Sequence, residues 1–247
     1  MFSKITEPHP IFYKYRKFWL FLPITSELQV SIAEKIKGLN DSLPGGVTLV
    51  AVSKTYPPDT IMEAYDAGQR IFGENRPQEL KAKYETMPKD IRWHLIGQLQ
   101  TNKVKYIAPF VELIHSVDSD KLLAAIDKEA VKNNRTIEVL LEIHIAREDS
   151  KSGWGDVELR EYLNGGTWRR YKNVHIRGLM SIASFTDDRK LIRDEFTNLK
   201  ALFDEFRDKY FGGDFNILSA GMTSDYDIAL ECGSNMVRIG SLIFGER

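Results

Sequence analysis

The chain has 247 residues, 43% of them hydrophobic and 28% charged, an ordinary composition for a soluble protein of one large α/β domain or two small ones. Its 34 basic and 35 acidic side chains leave a formal net charge of −1, which excludes a bulk electrostatic pull toward nucleic acid or an anionic membrane. The lone cysteine, Cys232, excludes an intramolecular disulfide and a CxxC metal site, and it fits a reducing, cytoplasmic compartment.

Residues 1–24 differ from the rest. The run KYRKFWLFLP sets basic residues before the apolar block 18–22. That block is too short to span a bilayer, and no small-residue cleavage site follows it. We expect an N-terminal extension, loosely packed or disordered, with a weak export signal as the alternative. Helical patterning starts near Thr25 or Ser26, where Leu28, Ile32, Ile36 and Leu39 share one face. Pro44-Gly45-Gly46 then breaks the chain.

From residue 47 the pattern alternates. Strands are predicted at 47–53, 70–72, 92–97, 113–117, 137–144, 174–180, 215–220 and 236–244. Helices are predicted between them at 59–68, 75–85, 102–108, 119–133, 156–164, 187–210 and 224–231, with Asp59 or Thr60 capping the first. Strict βα alternation means parallel strands joined by crossover helices. Eight such units predict an α/β fold of the (β/α)8 TIM-barrel type, one domain over residues 25–247 with an extra N-terminal helix. A doubly wound open sheet is the alternative, but the first strand lacks a GxGxxG turn after it.

In such a barrel, chemistry sits at the C-terminal ends of the strands. The first strand delivers Lys54 there. A lysine at a strand end either snorkels to solvent or, desolvated, serves as a nucleophilic amine. The later ends carry Asn75, His94, then Ser181 and Ser184, Gly221-Met222-Thr223-Ser224-Asp225, and Arg238 with Gly240-Ser241. Small-residue turns after the seventh and eighth strands are a common phosphate site in barrels, although each alone also reads as turn or cap chemistry, with Thr223 or Ser224 as an N-cap. An amine facing two anion-binding turns suits a phosphorylated aldehyde, and pyridoxal 5'-phosphate has that shape. His94, His115, His144 and His175 form no metal motif and read as core or hydrogen-bonded histidines. Phe196, Phe203 and Phe206 read as helix packing, and Lys103 and Lys105 as a solvated helix face.

The segments AVSKTYP, RIFGENRPQEL, WHLIGQLQTNKVK, IHSVDS, KSG, RGLMSIASF, AGMTSDYDIAL and VRIGSLIFGER together resemble the pyridoxal phosphate homeostasis family, the YggS/PROSC group, from about residue 26 onward. The resemblance implies a single barrel similar to the N-terminal domain of alanine racemase. It implies that Lys54 holds the cofactor as an aldimine, that Thr223, Ser224, Gly240 and Ser241 hold the phosphate, and that Arg238 faces the pyridine nitrogen. Asn75 and His94 match motif positions near the mouth and carry no firm role. Thr223 stands where Ser is usual, and Ala220 where Met is usual. An arginine at the ring nitrogen makes a weak electron sink. A racemase adds a second base from a C-terminal β-domain and a partner subunit, and this chain ends at Arg247. The implied function is therefore binding and transfer of the cofactor, in a cytoplasmic monomer serving apoenzymes or amino acids, without nucleic acid or membrane partners. The competing readings are an amino-acid racemase and a class I aldolase-like barrel. Lys103 and Lys151 are the alternative adduct sites.

Overall fold

The apolar run after Pro44-Gly45-Gly46 forms β1 (Thr48–Val52), buried at every position after the first. That is the pattern of a strand covered on both faces. A computed structural model describes residues 30–146 and 152–246. In it, β1 is followed by β2 (Ile71–Glu74), β3 (Arg92–Leu95), β4 (Leu113–Val117), β5 (Ile137–Glu142), β6 (Val174–Met180), β7 (Ile217–Ser219) and β8 (Met236–Ile239). Neighbours in sequence are neighbours in space, every pairing is parallel, and β8 closes on β1 through Thr48↔Met236 to Ala51↔Ile239. This is the expected (β/α)8 barrel.

The α-helices among the described residues are α1 (Ile32–Ser42), α2 (Pro58–Asp66), α3 (Pro77–Thr86), α4 (Asp120–Lys132), α5 (Asp156–Gly165), α6 (Arg189–Phe206), α7 (Tyr226–Glu231) and α8 (Ser241–Phe244). Val50, Leu113, Leu140, Met180 and Met236 cluster separately from the main core, as inward-facing residues of a filled barrel do. The opposite strand faces and the helices build the larger core, with Phe72, Trp93, Phe196, Phe206 and Phe215 fully buried. The phenylalanines of α6 are packing residues, as expected.

Several boundaries differ from the prediction. The first helix among the described residues starts at Ile32, and the predicted start near Thr25 or Ser26, with Leu28, lies outside them. The 102–108 segment is a single 3-10 stretch, Thr101–Tyr106, with Lys103 and Lys105 beside the Tyr106 ring. The 236–244 run is divided at Gly240, because its last residues form α8. Helix α2 is entered through Pro57 with Pro58 in its first turn, so neither Asp59 nor Thr60 caps it. The predicted extension 1–24 and Lys151 lie outside the described residues. Among the described residues, no helix is long and apolar enough to cross a membrane.

Where β6 and β7 pair, a Cβ on Gly178 would lie 1.7 Å from the Ile217 carbonyl oxygen, which only backbone movement relieves. We expect Gly178→Ala to destabilise the barrel by roughly 3 kcal/mol, read as a lowered urea midpoint.

Candidate functional site

The chain leaves β1 at its C-terminal end through Ser53, Lys54 and Thr55. Ser53 is fully buried and Lys54 is partly exposed, so the lysine sits at the rim of the mouth. Thr55 adopts φ +68°, a left-handed conformation that a β-branched residue rarely takes. The neighbours of Lys54 are pinned on both sides. Ser53 Oγ donates to Glu74 Oε1 at 2.6 Å, Lys83 Nζ donates to the Ser53 carbonyl at 2.9 Å, and the Thr55 N–H donates to Glu79 Oε1 at 2.6 Å. Lys83 also bridges the two carboxylates, 2.8 Å from Glu74 and 2.7 Å from Glu79.

One ammonium thus serves two carboxylates, and their burial separates them. Burial pushes Glu74, at the end of β2, up to about 7 against the pull of Lys83 and Ser53. Burial also raises Glu79, but hydrogen bonds from Lys83 and Thr55 outweigh it and hold that carboxyl below its usual range. Sequence reading missed this triad. Its visible signal, Glu79 and Lys83 one turn apart on α3, is that of an exposed helical ion pair.

Across the strand order, β7 leads into Gly221, whose φ of +96° and tight packing against Tyr226 and Ala229 need a glycine. The Arg238 N–H donates to the Gly221 carbonyl at 3.0 Å, locking this turn to β8. The N-cap of α7 is Asp225, not Thr223 or Ser224, and its Oδ1 accepts from the Met222 N–H at 2.6 Å. Among the described residues, the backbone N–H groups of Thr223, Ser224, Gly240 and Ser241 meet no acceptor. They form two short anion-ready turns on neighbouring strands.

Arg238 lies just below them, 3% exposed. Its Nη1 donates to the Ser219 carbonyl at 2.9 Å and to Ser219 Oγ at 2.7 Å, and its Nη2 donates to the Ser181 carbonyl at 2.8 Å. Three of the five guanidinium N–H groups are used, and Nε–H with one Nη2–H remain for a ligand acceptor. Burial lowers Arg238 to about 10, against the opposing fields of Asp225 and Glu142, so it stays a cation at neutral pH. Glu142 ends β5 on the far side of the mouth. Burial raises its carboxyl, and Ser152 Oγ donates to it at 2.9 Å.

Strand pairing therefore brings Lys54, Thr223, Ser224, Arg238, Gly240 and Ser241 together on β7, β8 and β1. Asn75 stands beside them at the end of β2. His94 does not join them. Its side chain lies inside the barrel, pairs with His115 at 3.0 Å, and lines a cavity at the opposite, N-terminal end of the strands. Register contributes to this: His94 pairs with Leu113, the first residue of β4, and its side chain points into the barrel. Among the described residues, no group of three His, Cys, Asp or Glu side chains could hold a metal ion.

The fold and this set of groups define a barrel of the alanine racemase N-terminal class. The family model described as alanine racemase, N-terminal domain, matches residues 30–247. The pyridoxal phosphate homeostasis protein of Aquifex aeolicus (strain VF5) is 41% identical over 81% of this chain and 86% of its own length. The structure of PipY from Synechococcus elongatus PCC7942 with PLP bound is 36% identical, with a TM-score of 0.80 over 87% of this chain and 100% of PipY. Alanine racemase from Streptomyces lavendulae, 17% identical with a TM-score of 0.70 over 87% of this chain and 57% of the racemase, shares the fold. The chain belongs to the pyridoxal phosphate homeostasis protein family.

The triad beside Lys54 sets a pH dependence. Glu74 binds its proton more tightly folded than unfolded, so its contribution to stability is full below about 4.5 and is lost as pH rises through about 7. We expect Glu74→Gln to flatten this slope, removing on the order of 2 kcal/mol of variation across the window, read from urea titrations at several pH values. A Lys83→Met variant, which strands Glu74 without its cation, should show a steeper loss toward alkaline pH.

Proposed function

We propose that this protein holds pyridoxal 5'-phosphate reversibly at the C-terminal mouth of the barrel and takes part in intracellular supply of that cofactor. The observation that carries the reading is the convergence, on three adjacent strands, of an amine, two turns of unused N–H groups, and a buried guanidinium with donors to spare. The residues fit the group: an amine for the aldehyde, backbone N–H groups for the phosphate, and a fixed cation for the pyridine nitrogen. The kinship with a PLP-bound relative at 36% identity supports the same assignment. When bound, the cofactor supplies an aldehyde that condenses reversibly with primary amines.

Lys54 offers that amine from a turn whose backbone is held by Ser53, Glu74, Lys83 and Glu79, so its approach is set before any ligand arrives. Thr223, Ser224, Gly240 and Ser241 would hold the phosphate through their backbone N–H groups. Arg238 would donate a hydrogen bond to the ring nitrogen and, having no acceptor to offer a pyridinium N–H, would keep that nitrogen unprotonated. A ring held in that way stabilises negative charge poorly, which favours storage and release over α-carbon chemistry. The partly exposed Lys54 leaves the mouth open to incoming amines. Free amino acids and apoenzymes of the cytoplasm are the recipients in this reading, and the protein works as a monomer without nucleic acid.

Borohydride reduction of the cofactor-loaded protein, followed by peptide mapping, tests the assignment. We expect one stable adduct per chain, on the peptide containing Lys54, and its loss in Lys54→Ala. A full-stoichiometry adduct in Lys54→Ala would move the amine to Lys103 or Lys151. Arg238→Gln should retain the adduct but shift the absorption maximum of the loaded protein, because the ring nitrogen loses its charged donor.

A further inference from the structure

Below the mouth, the barrel interior carries a hydrogen-bonded chain that storage of the cofactor does not by itself require. Ser219 Oγ, which accepts from Arg238 Nη1 at 2.7 Å, lies 3.1 Å from His115 Nδ1. His115 Nε2 in turn lies 3.0 Å from His94 Nδ1. The four residues come from β8, β7, β4 and β3, and none is more than 3% exposed. Strands β4 and β8 stand opposite each other in the closed strand order, so the chain crosses the barrel.

Both imidazoles are neutral. Burial pushes His94 down to about 3, helped by Arg92. Burial, then His94 and Arg238, push His115 well below its usual value. With neutral rings, hydrogen counting fixes the direction of the chain. Arg238 can only donate, so Ser219 accepts from it and directs its own hydrogen to His115 Nδ1. His115 then carries its hydrogen on Nε2 and donates to His94 Nδ1. His94 carries its hydrogen on Nε2, which has no partner among the described residues. The reverse direction would leave the Ser219 hydroxyl hydrogen without an acceptor in the closed interior, as well as a bare His94 nitrogen.

That unpaired, buried Nε2–H belongs to a side chain that lines a cavity of about 630 Å³ at the N-terminal end of the barrel. Its walls carry Arg92 paired with Glu112 and Arg177 paired with Glu138. Those charges balance, so the cavity favours a small neutral acceptor such as water over an ion.

We propose that Ser219, His115 and His94 form a positioning relay for Arg238, anchored at its far end by a water molecule in the N-terminal cavity. The relay rests on the cofactor reading above. It holds Nη1 in one rotation, which reserves Nε–H and the second Nη2–H for the ligand. His115 and His94, on the barrel wall opposite Arg238, thereby set how the ring nitrogen is met, without touching the cofactor.

The test compares the parent with Ser219→Ala, Ser219→Thr and His115→Leu, all titrated with pyridoxal 5'-phosphate, and records melting of the unloaded proteins. We expect Ser219→Ala and His115→Leu to shift the absorption maximum of the loaded protein and to weaken binding about tenfold, one lost charge-assisted hydrogen bond's worth. Ser219→Thr, which keeps the hydroxyl, should restore both. In the unloaded parent, nitrogen-15 spectra should show His94 and His115 as neutral Nε2–H tautomers near pH 6. Parental spectra and affinity in Ser219→Ala, or an Nδ1–H tautomer on His115, would overturn the relay while leaving the cofactor reading intact. A parent that takes up no pyridoxal phosphate would sink that reading and the relay together.

Discussion

The buried guanidinium of Arg238 organises half of the working end of this barrel. Arg238 sits 3% exposed with no carboxylate in contact among the described residues, so hydrogen bonds to Ser219 and Ser181 compensate for its lost water. Those acceptors belong to β7 and to the end of β6, and the N–H of Arg238 itself secures the Gly221 turn. One side chain and its backbone therefore tie three strand ends together. A guanidinium suits this task, because its fork of fixed donors can hold several carbonyls and still leave donors for a ligand. The charge is kept because Asp225 and Glu142 oppose its desolvation from either side.

The other half of the mouth is held differently. On β1 and β2 a carboxylate–ammonium–carboxylate triad grips the backbone around Lys54, and Thr55 is kept in a left-handed conformation next to it. The two halves touch through Tyr56, whose hydroxyl donates to the Gly245 carbonyl at 2.8 Å and whose ring packs on Phe244. They are also joined by the β1–β8 ladder, which sets Val50 against Arg238 and Ala51 against Ile239. Barrel closure is thus the step that brings the amine and the anion-ready turns to one place. A site built on strand ends in this way is more rigid than one built on loops, and that rigidity suits a protein whose task is to hold a ligand in a defined pose.

The sequence by itself determined the eight βα units, their parallel direction, and hence which residues reach the C-terminal mouth. Lys54, Thr223, Ser224, Arg238, Gly240 and Ser241 were legible because periodicity and turn chemistry are local, and strand order follows from crossover connections. Local signals misplaced the edges where two elements share one apolar run: 236–244 reads as a single strand, yet Gly240 divides it into β8 and α8. Only tertiary structure decided the depth of each side chain along its strand. His94 carries a motif position that suggests the mouth, but the register of β3 on β4 sets it inside the barrel against His115. Likewise Lys83 and Glu79 read as a surface pair until β2 brings Glu74 beneath them and removes the water. Partners distant in sequence and the loss of solvent around them arise only when the barrel closes, and no local pattern encodes either.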